Sequence, residues 1–119
     1  MIENPTTDAF RIDVTREGAV EMLAIHGSLA DGAHLRAKEV FLQVLDQNPK
    51  RIVVDLEEMD FISSPGIGLL VSMLRRCRQR GIPLQVCGLR AEVRDVFKLA
   101  RLSQVFEIFE NRAAALMKR

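Results

Sequence analysis

The hydrophobic and polar positions of this chain change their period several times, and each change predicts an element. Apolar Phe10, Ile12 and Val14 alternate with polar residues, which predicts a half-buried strand. Gly18 can supply a tight turn, and a second strand is predicted from Val20 to His26, followed by a loop over 27–32. The pattern therefore indicates that the fold opens with a hairpin and not with a β-α-β unit.

Helical spacing of apolar residues then appears in three longer segments. The first predicted helix begins at Ala33, the second runs from Pro65 to Arg80, and the third is centred on 93–100. Gly81 follows the second predicted helix, at the position where a residue in the left-handed conformation commonly caps a helix C-terminus. Asn111 is predicted to cap a last short helix.

Short apolar runs between these helices predict further strands, at 51–56, 84–87 and 105–109. The resulting order is β-β-α-β-α-β-α-β-α. Strands separated by helices imply parallel pairing through right-handed crossovers, so the fold class is α/β with one mixed sheet and an N-terminal hairpin. A chain of 119 residues holds one domain, which we assign to 10–119. Residues 1–9 are predicted to be loosely held.

Charge and hydropathy exclude several classes of partner. The chain has 17 Lys and Arg against 16 Asp and Glu, so no basic excess supports binding to nucleic acid. The basic cluster 75–80 lies at a predicted helix C-terminus, where cations face the negative end of the helix dipole. No apolar run approaches the ~18 residues of a membrane-spanning helix, and no signal peptide precedes the first strand. We expect a cytoplasmic protein without membrane insertion.

The residues that usually carry chemistry are scattered. His26, His34, Cys77 and Cys87 have no neighbouring ligands at metal-binding spacing, so neither a metal nor a catalytic cysteine is predicted. The chain has no Walker lysine, no complete dinucleotide-binding glycine motif and no Gly-x-Ser-x-Gly nucleophile. We expect no cofactor and no enzyme activity.

Asp55 follows a buried strand, as the phosphoacceptor of a response-regulator receiver does. Receivers also need an acidic pair after their first strand to hold Mg²⁺, and the hairpin predicted here leaves no place for it. The receiver interpretation is therefore disfavoured.

The segment Phe61–Gly68 carries the strongest functional signal. Ser64 fits a helix N-cap and Pro65 fits the first helical position. Gly66 and Gly68 each lower helix stability by roughly 1 kcal/mol relative to Ala. Two glycines in one turn indicate that something approaches the helix backbone closely, such as a docking partner or a phosphate.

These residues resemble the signature of STAS domains, and more narrowly that of the anti-sigma factor antagonists. The resemblance covers roughly residues 10 to 117. Its segments are Val53–Leu56, Phe61–Leu70, Gly81–Leu84, Val93–Leu102, Val105–Phe109 and Ala113–Leu116.

The resemblance implies a site and a mechanism. In antagonists of this kind an Asp-Ser pair starts the helix, and a cognate kinase phosphorylates the Ser. That Ser corresponds to Ser64, with Ser63 in the place of the Asp as the second candidate. The unphosphorylated protein would bind an anti-sigma factor that is also a serine kinase, and a PP2C-type phosphatase would reverse the switch. The implied partner-binding residues are Ser63, Ser64, Pro65, Gly66, Ile67, Gly68, Gly27 and Asp31.

Two other functions stay open at this point. One is a STAS subunit of a lipid transporter or other signalling assembly that is never phosphorylated. The other is a sensor of a small ligand or nucleotide that uses the same turn. Self-association into a homodimer is also open.

Overall fold

The computed structural model describes residues 10–117, so the loose segment predicted at 1–9 lies outside the described residues. Within them the chain forms a six-stranded sheet and four helices. The strands are β1 (Phe10–Glu17), β2 (Val20–Leu29), β3 (Arg51–Asp55), β4 (Met59–Ile62), β5 (Leu84–Cys87) and β6 (Glu107–Phe109). The helices are α1 (Ala33–Asp46), α2 (Ser64–Gln79), α3 (Ala91–Leu99) and α4 (Arg112–Met117), and a 3₁₀ turn spans Leu102–Gln104.

The sheet confirms the predicted mixed topology. Its order is β1-β2-β3-β5-β6, with β1 antiparallel to β2 and the other neighbours parallel. Gly18 takes a φ of 64° in the hairpin turn, a left-handed conformation that costs other residues energy. Each parallel step passes through a helix, as expected for crossovers that bury both faces of a strand.

Strand β4 was not predicted from the sequence. It pairs with the last residues of β2, beyond the point where β3 ends, and the register shifts at Gly27 and Ser28. Its four residues follow a buried-exposed-exposed-buried pattern, which lacks the alternation of a half-buried strand. The prediction that Gly27 lies in a loop after β2 is therefore wrong. Gly27 belongs to β2, and its N–H donates to the Glu58 carbonyl over 2.8 Å.

The core lies mainly between the sheet and three helices. Alternation along β3 directs Ile52 and Val54 towards α1, α2 and α3. Val53 points to the opposite face, where it packs with Met22, Cys87 and Ala115 of α4. The two faces are thus unequal, since one carries three helices and the other is covered by the short α4.

The C-terminal part departs from the prediction at one strand. The expected strand over 105–109 is shorter, because the 3₁₀ turn at Leu102–Gln104 is followed by β6 only from Glu107. Two predicted caps are confirmed. Gly81 has a φ of 69° after α2, and the Asn111 side chain accepts from the Ala114 N–H over 2.8 Å.

Candidate functional site

The turn where β4 runs into α2 is built around the side chain of Ser63. Its backbone is extended, and its Oγ accepts a hydrogen bond from the Gly66 N–H over 3.2 Å. The same hydroxyl donates to the Leu29 carbonyl over 3.0 Å. The Ser63 N–H donates to that carbonyl as well, over 3.1 Å. Ser63 therefore joins the start of α2 to the end of β2 by hydrogen bonds.

The prediction that Ser64 caps α2 is wrong, because Ser63 does so. Ser64 is the first helical residue, and Pro65 is the second. In a Ser-Ser-Pro sequence either serine has cap chemistry, and the bonds to the Leu29 carbonyl select Ser63. The consequence for Ser64 is that its side chain is free of the capping role and exposed to solvent.

The N–H groups of the first turn are nearly all accounted for. Pro65 has none, and the Gly66 N–H is taken by the Ser63 hydroxyl. The Ile67 N–H donates to the Ser63 carbonyl over 2.9 Å. A negative group on Ser64 would therefore meet the dipole of a 16-residue helix but few free N–H donors. No acidic residue occupies this first turn.

The two glycines of this turn have different surroundings. A Cβ on Gly66 would stand 2.7 Å from the Leu29 carbonyl oxygen and 2.9 Å from the Ile62 side chain. A Cβ on Gly68 would meet nothing within 4 Å, and Gly68 is exposed. Gly66 is therefore explained by packing inside the protein, and the close approach inferred from the sequence is to β2 and not to a partner. Gly68 has no such internal explanation.

A groove of about 350 Å³ runs beside this turn, between α1 and α2. It brings Pro65 and Gly68 together with Leu35 and Lys38 of α1, which were not predicted as contact residues. The groove is lined by His34, Leu35, Lys38, Pro65, Gly68, Leu69 and Ser72. Leu35 is 59% exposed there, and Phe61 of β4 is 53% exposed three residues before Ser64. Periodicity could not identify these two residues, because an exposed apolar side chain is recognised only once the fold is known.

Of the remaining predicted contact residues, only some are exposed at the surface. Asp31 is exposed in the β2–α1 turn with a φ of 51°, two residues after Leu29. It lines a second groove, of about 460 Å³, with Ser28 and Arg36. Ile67 is partly buried and packs on the core, and Gly27 and Gly66 are held by contacts inside the protein. The structure therefore leaves Ser64, Pro65, Gly68 and Asp31 accessible among the predicted set.

The cysteines have the environment of core residues. Burial raises the pKa of Cys77 to about 11, with nearby Arg80 acting in the opposite direction. Burial and then the Asp55 carboxylate raise the pKa of Cys87 to about 12. Both thiols are therefore protonated at neutral pH, which is the opposite of what a nucleophile or a metal ligand needs. Within residues 10–117 no three His, Cys, Asp or Glu side chains are arranged to hold a metal ion.

Asp55 has a structural partner. Its carboxylate accepts two hydrogen bonds from Arg112, over 2.8 and 3.1 Å, and a third from the Glu57 N–H over 3.0 Å. Because Arg112 is in α4, this buried carboxylate ties the last helix to the end of β3. Its chemistry is that of an ion pair and not of an exposed phosphoacceptor.

The basic cluster at the end of α2 also has contacts within the fold. Arg80 donates to the Leu45 carbonyl over 3.0 Å, and Arg78 donates to the Val105 carbonyl over 3.4 Å. Both bonds link α2 to neighbouring segments, which favours a structural role for these arginines. Among the described helices none is long and apolar enough to cross a bilayer.

Comparison with known proteins identifies the family of this fold. The family model described as STAS domain matches residues 11–115. A putative anti-sigma factor antagonist of Bordetella bronchiseptica, BtrV, is 32% identical over 71 residues, covering 60% of this chain and 61% of that protein. The chain thus spans about three fifths of the length of the curated relatives that it matches.

Solved structures show the same fold at lower identity. A crystal structure of an anti-sigma factor antagonist from Mycobacterium paratuberculosis is similar with a TM-score of 0.83 and 18% identity, covering 97% of this chain and 96% of that chain. A sulfate transporter family protein from Wolinella succinogenes has a TM-score of 0.75 and 22% identity, with coverages of 86% and 85%. The fold by itself therefore does not decide between a regulator and a transporter module.

Proposed function

Because the chain belongs to the STAS domain family, we propose that it is an anti-sigma factor antagonist that acts by partner switching. In the unphosphorylated form it binds an anti-sigma factor that is also a serine kinase, and phosphorylation of Ser64 releases it. A PP2C-type phosphatase restores the binding form. The protein is a regulator that works by binding in the bacterial cytoplasm, without a cofactor and without catalysis of its own.

One observation carries this proposal, namely the division of roles between two adjacent serines. The Ser63 hydroxyl is occupied by the Leu29 carbonyl and the Gly66 N–H. Ser64 is exposed at the first position of α2. A kinase needs a hydroxyl that it can reach without dismantling the fold, and Ser64 meets that requirement while Ser63 does not. The relatives named as anti-sigma factor antagonists support the same function.

The surface around Ser64 is suited to a protein partner. Leu35 and Phe61 are apolar and more than half exposed, and Leu35 lines the groove that also contains Pro65 and Gly68. Exposed apolar side chains of this size gain free energy when a partner covers them. Gly68 offers bare backbone to that partner, since nothing inside the protein fills the space above it.

Phosphorylation acts on the interface more than on the fold. A phosphate on Ser64 adds about −1.5 to −2 charge at pH 7. In the free protein that charge stays in water at the positive end of the α2 dipole, where it is tolerated. In the complex it must be desolvated at the centre of the contact, and an unpaired buried charge is strongly unfavourable. The free energy of binding therefore changes while the free energy of unfolding stays nearly constant.

The assignment of the phosphoacceptor is tested by labelling. The protein is incubated with its cognate anti-sigma factor kinase and ATP, and the modified residue is located by mass spectrometry in wild type, Ser63→Ala and Ser64→Ala. We expect one phosphate on Ser64 in wild type and in Ser63→Ala, and none in Ser64→Ala. A phosphate on Ser63, or unchanged labelling of Ser64→Ala, would contradict the assignment.

A pull-down from the source cells separates this function from the transporter alternative. Recovery of a serine kinase with the wild-type chain, and its loss with Ser64→Glu, is the expected result. Recovery of a transport ATPase instead, with equal yield for both chains, would indicate a STAS module of a transporter.

A further inference from the structure

The outer edge of β1 lies away from the Ser64 turn, and in the described part of the chain β1 pairs with β2 alone. An edge strand presents unpaired N–H and C=O groups to any strand that can lie beside it. β1 is eight residues long and carries Val14, which is 42% exposed. This strand is therefore open to pairing with another chain.

From the charge pattern of this edge we infer that β1 pairs antiparallel with β1 of a second copy, in the register that places Val14 opposite Val14. Directly opposed residues in an antiparallel pair share a face of the sheet. In this register Arg11, which also contacts Asp13 of its own strand over 3.2 Å, faces Glu17 of the other copy, and Asp13 faces Thr15. Val14 meets its own copy, which covers an exposed apolar side chain. The edge is thus complementary to itself in charge and in hydropathy.

Other symmetric registers are less favourable. Centring the pair on Asp13 would oppose two Asp13 carboxylates, and like charges directly opposite each other destabilise a strand pair. Centring it on Ile12 would oppose Arg11 and Asp13 but would pair only residues 10–14 of each β1, against residues 11–17 in the register centred on Val14. The register centred on Val14 is the one that pairs each terminal charge of the strand with its opposite.

The dimer leaves both Ser64 turns free. The paired segment ends at Arg11, which faces His26 of β2, and the Leu29 end of β2 that holds Ser63 lies about 10 Å further along the sheet, at about 3.4 Å per residue. Antiparallel pairing sends the two turns to opposite ends of a continuous sheet. This inference goes beyond the proposed function and does not depend on it, since it concerns the oligomeric state of the chain alone.

The test is analytical ultracentrifugation of the full chain over a wide concentration range. Pairing of a single edge strand from each copy buries less accessible surface than the ~1,200 Å² of a standard interface. We therefore expect a weak dimer in equilibrium with monomer. Arg11→Glu and Glu17→Arg should each weaken the dimer about tenfold, because two symmetric attractive pairs become repulsive. Lys50→Glu, in an exposed loop, makes the same charge change as Arg11→Glu and is its matched control, so it should leave dimerisation unchanged.

Mixing the two variants tests the register itself. The Arg11→Glu chain carries a carboxylate at both paired positions, and the Glu17→Arg chain carries a guanidinium at both. In the mixed dimer each carboxylate therefore faces a guanidinium, so dimerisation should return to about the wild-type level. Circular dichroism of each variant verifies that it is folded. A monomeric wild type, an unweakened Arg11→Glu dimer, or a mixture no tighter than either variant alone would overturn the inference.

Discussion

Ser63 and Ser64 are adjacent in the sequence but differ in every physical respect that matters to the site. Ser63 joins β2 to α2 through its backbone N–H and its hydroxyl, which both bond to the Leu29 carbonyl. Ser64 lies in solvent. A substitution at Ser63 therefore acts on folding, and a substitution at Ser64 acts on recognition.

The first prediction separates these roles by stability. Ser63→Ala should lower the free energy of unfolding by about 1–2 kcal/mol, because a helix cap is lost and the Leu29 carbonyl loses a donor. Ser64→Ala should change it by less than about 0.5 kcal/mol, as surface substitutions usually do. Urea titration of both variants measures the difference. A larger loss in Ser64→Ala than in Ser63→Ala would show that the cap has been assigned to the wrong serine.

The sequence could place a hydroxyl pair at the start of α2 but could not tell which serine caps it. Both have the right side chain, and Pro65 is compatible with either the first or the second helical position. The choice depends on the Leu29 carbonyl, which is 34 residues away along the chain. Local chemistry holds no information about a bond of that range.

At the scale of elements, the contact between α2 and β2 positions the site. Because Gly66 has no side chain, α2 can pack closely against the Leu29 carbonyl of β2. The hydrogen bonds of Ser63 to the same carbonyl then fix the position of the first turn of α2. Gly68 faces away from this contact into open space. The two glycines therefore offer a matched pair of substitutions on the same helical turn.

The second prediction uses that pair. Gly66→Ala should destabilise the protein by about 1–3 kcal/mol, because its Cβ would overlap a backbone oxygen of β2. Gly68→Ala should stabilise it by about 0.5–1 kcal/mol, because Ala is the better helix former and the site has room. Thermal unfolding of the two variants measures both effects. Equal effects of the same sign would contradict the described packing of α2.

Most elements follow from the sequence, and those that do not have identifiable causes. The hairpin, the buried β3 and the parallel crossovers were predicted from periodicity, and the sheet confirms them. β4 was missed because its four residues are too few to establish a period. The groove beside the site arises where α1 and α2 meet, so Leu35 could not be recognised from the chain alone. Phe61 begins the segment identified from the sequence, but its exposure is known only from the fold.

At the scale of the whole molecule, the structure separates two surfaces. The Ser64 turn and the α1–α2 groove lie where β2 and β4 end, and the β1 edge runs along one side of the sheet. Because the two surfaces do not share residues, partner binding and self-association should be independent. Arg11→Glu should therefore leave the affinity for the anti-sigma factor unchanged, as titration calorimetry would measure. A loss of affinity in this variant would mean that the partner needs the dimer.

The partner switch is tested most directly by the affinity of the anti-sigma factor kinase for the two forms of Ser64. Calorimetric titration should compare the unphosphorylated protein, the Ser64-phosphorylated protein and Ser64→Ala, with thermal unfolding of each as the control for folding. We expect phosphorylation to raise the Kd about a hundredfold or more, about 2.8 kcal/mol at roughly 1.4 kcal/mol per tenfold, while Tm stays nearly constant and Ser64→Ala binds like wild type. Equal affinity of the phosphorylated and unphosphorylated forms would contradict the partner switch.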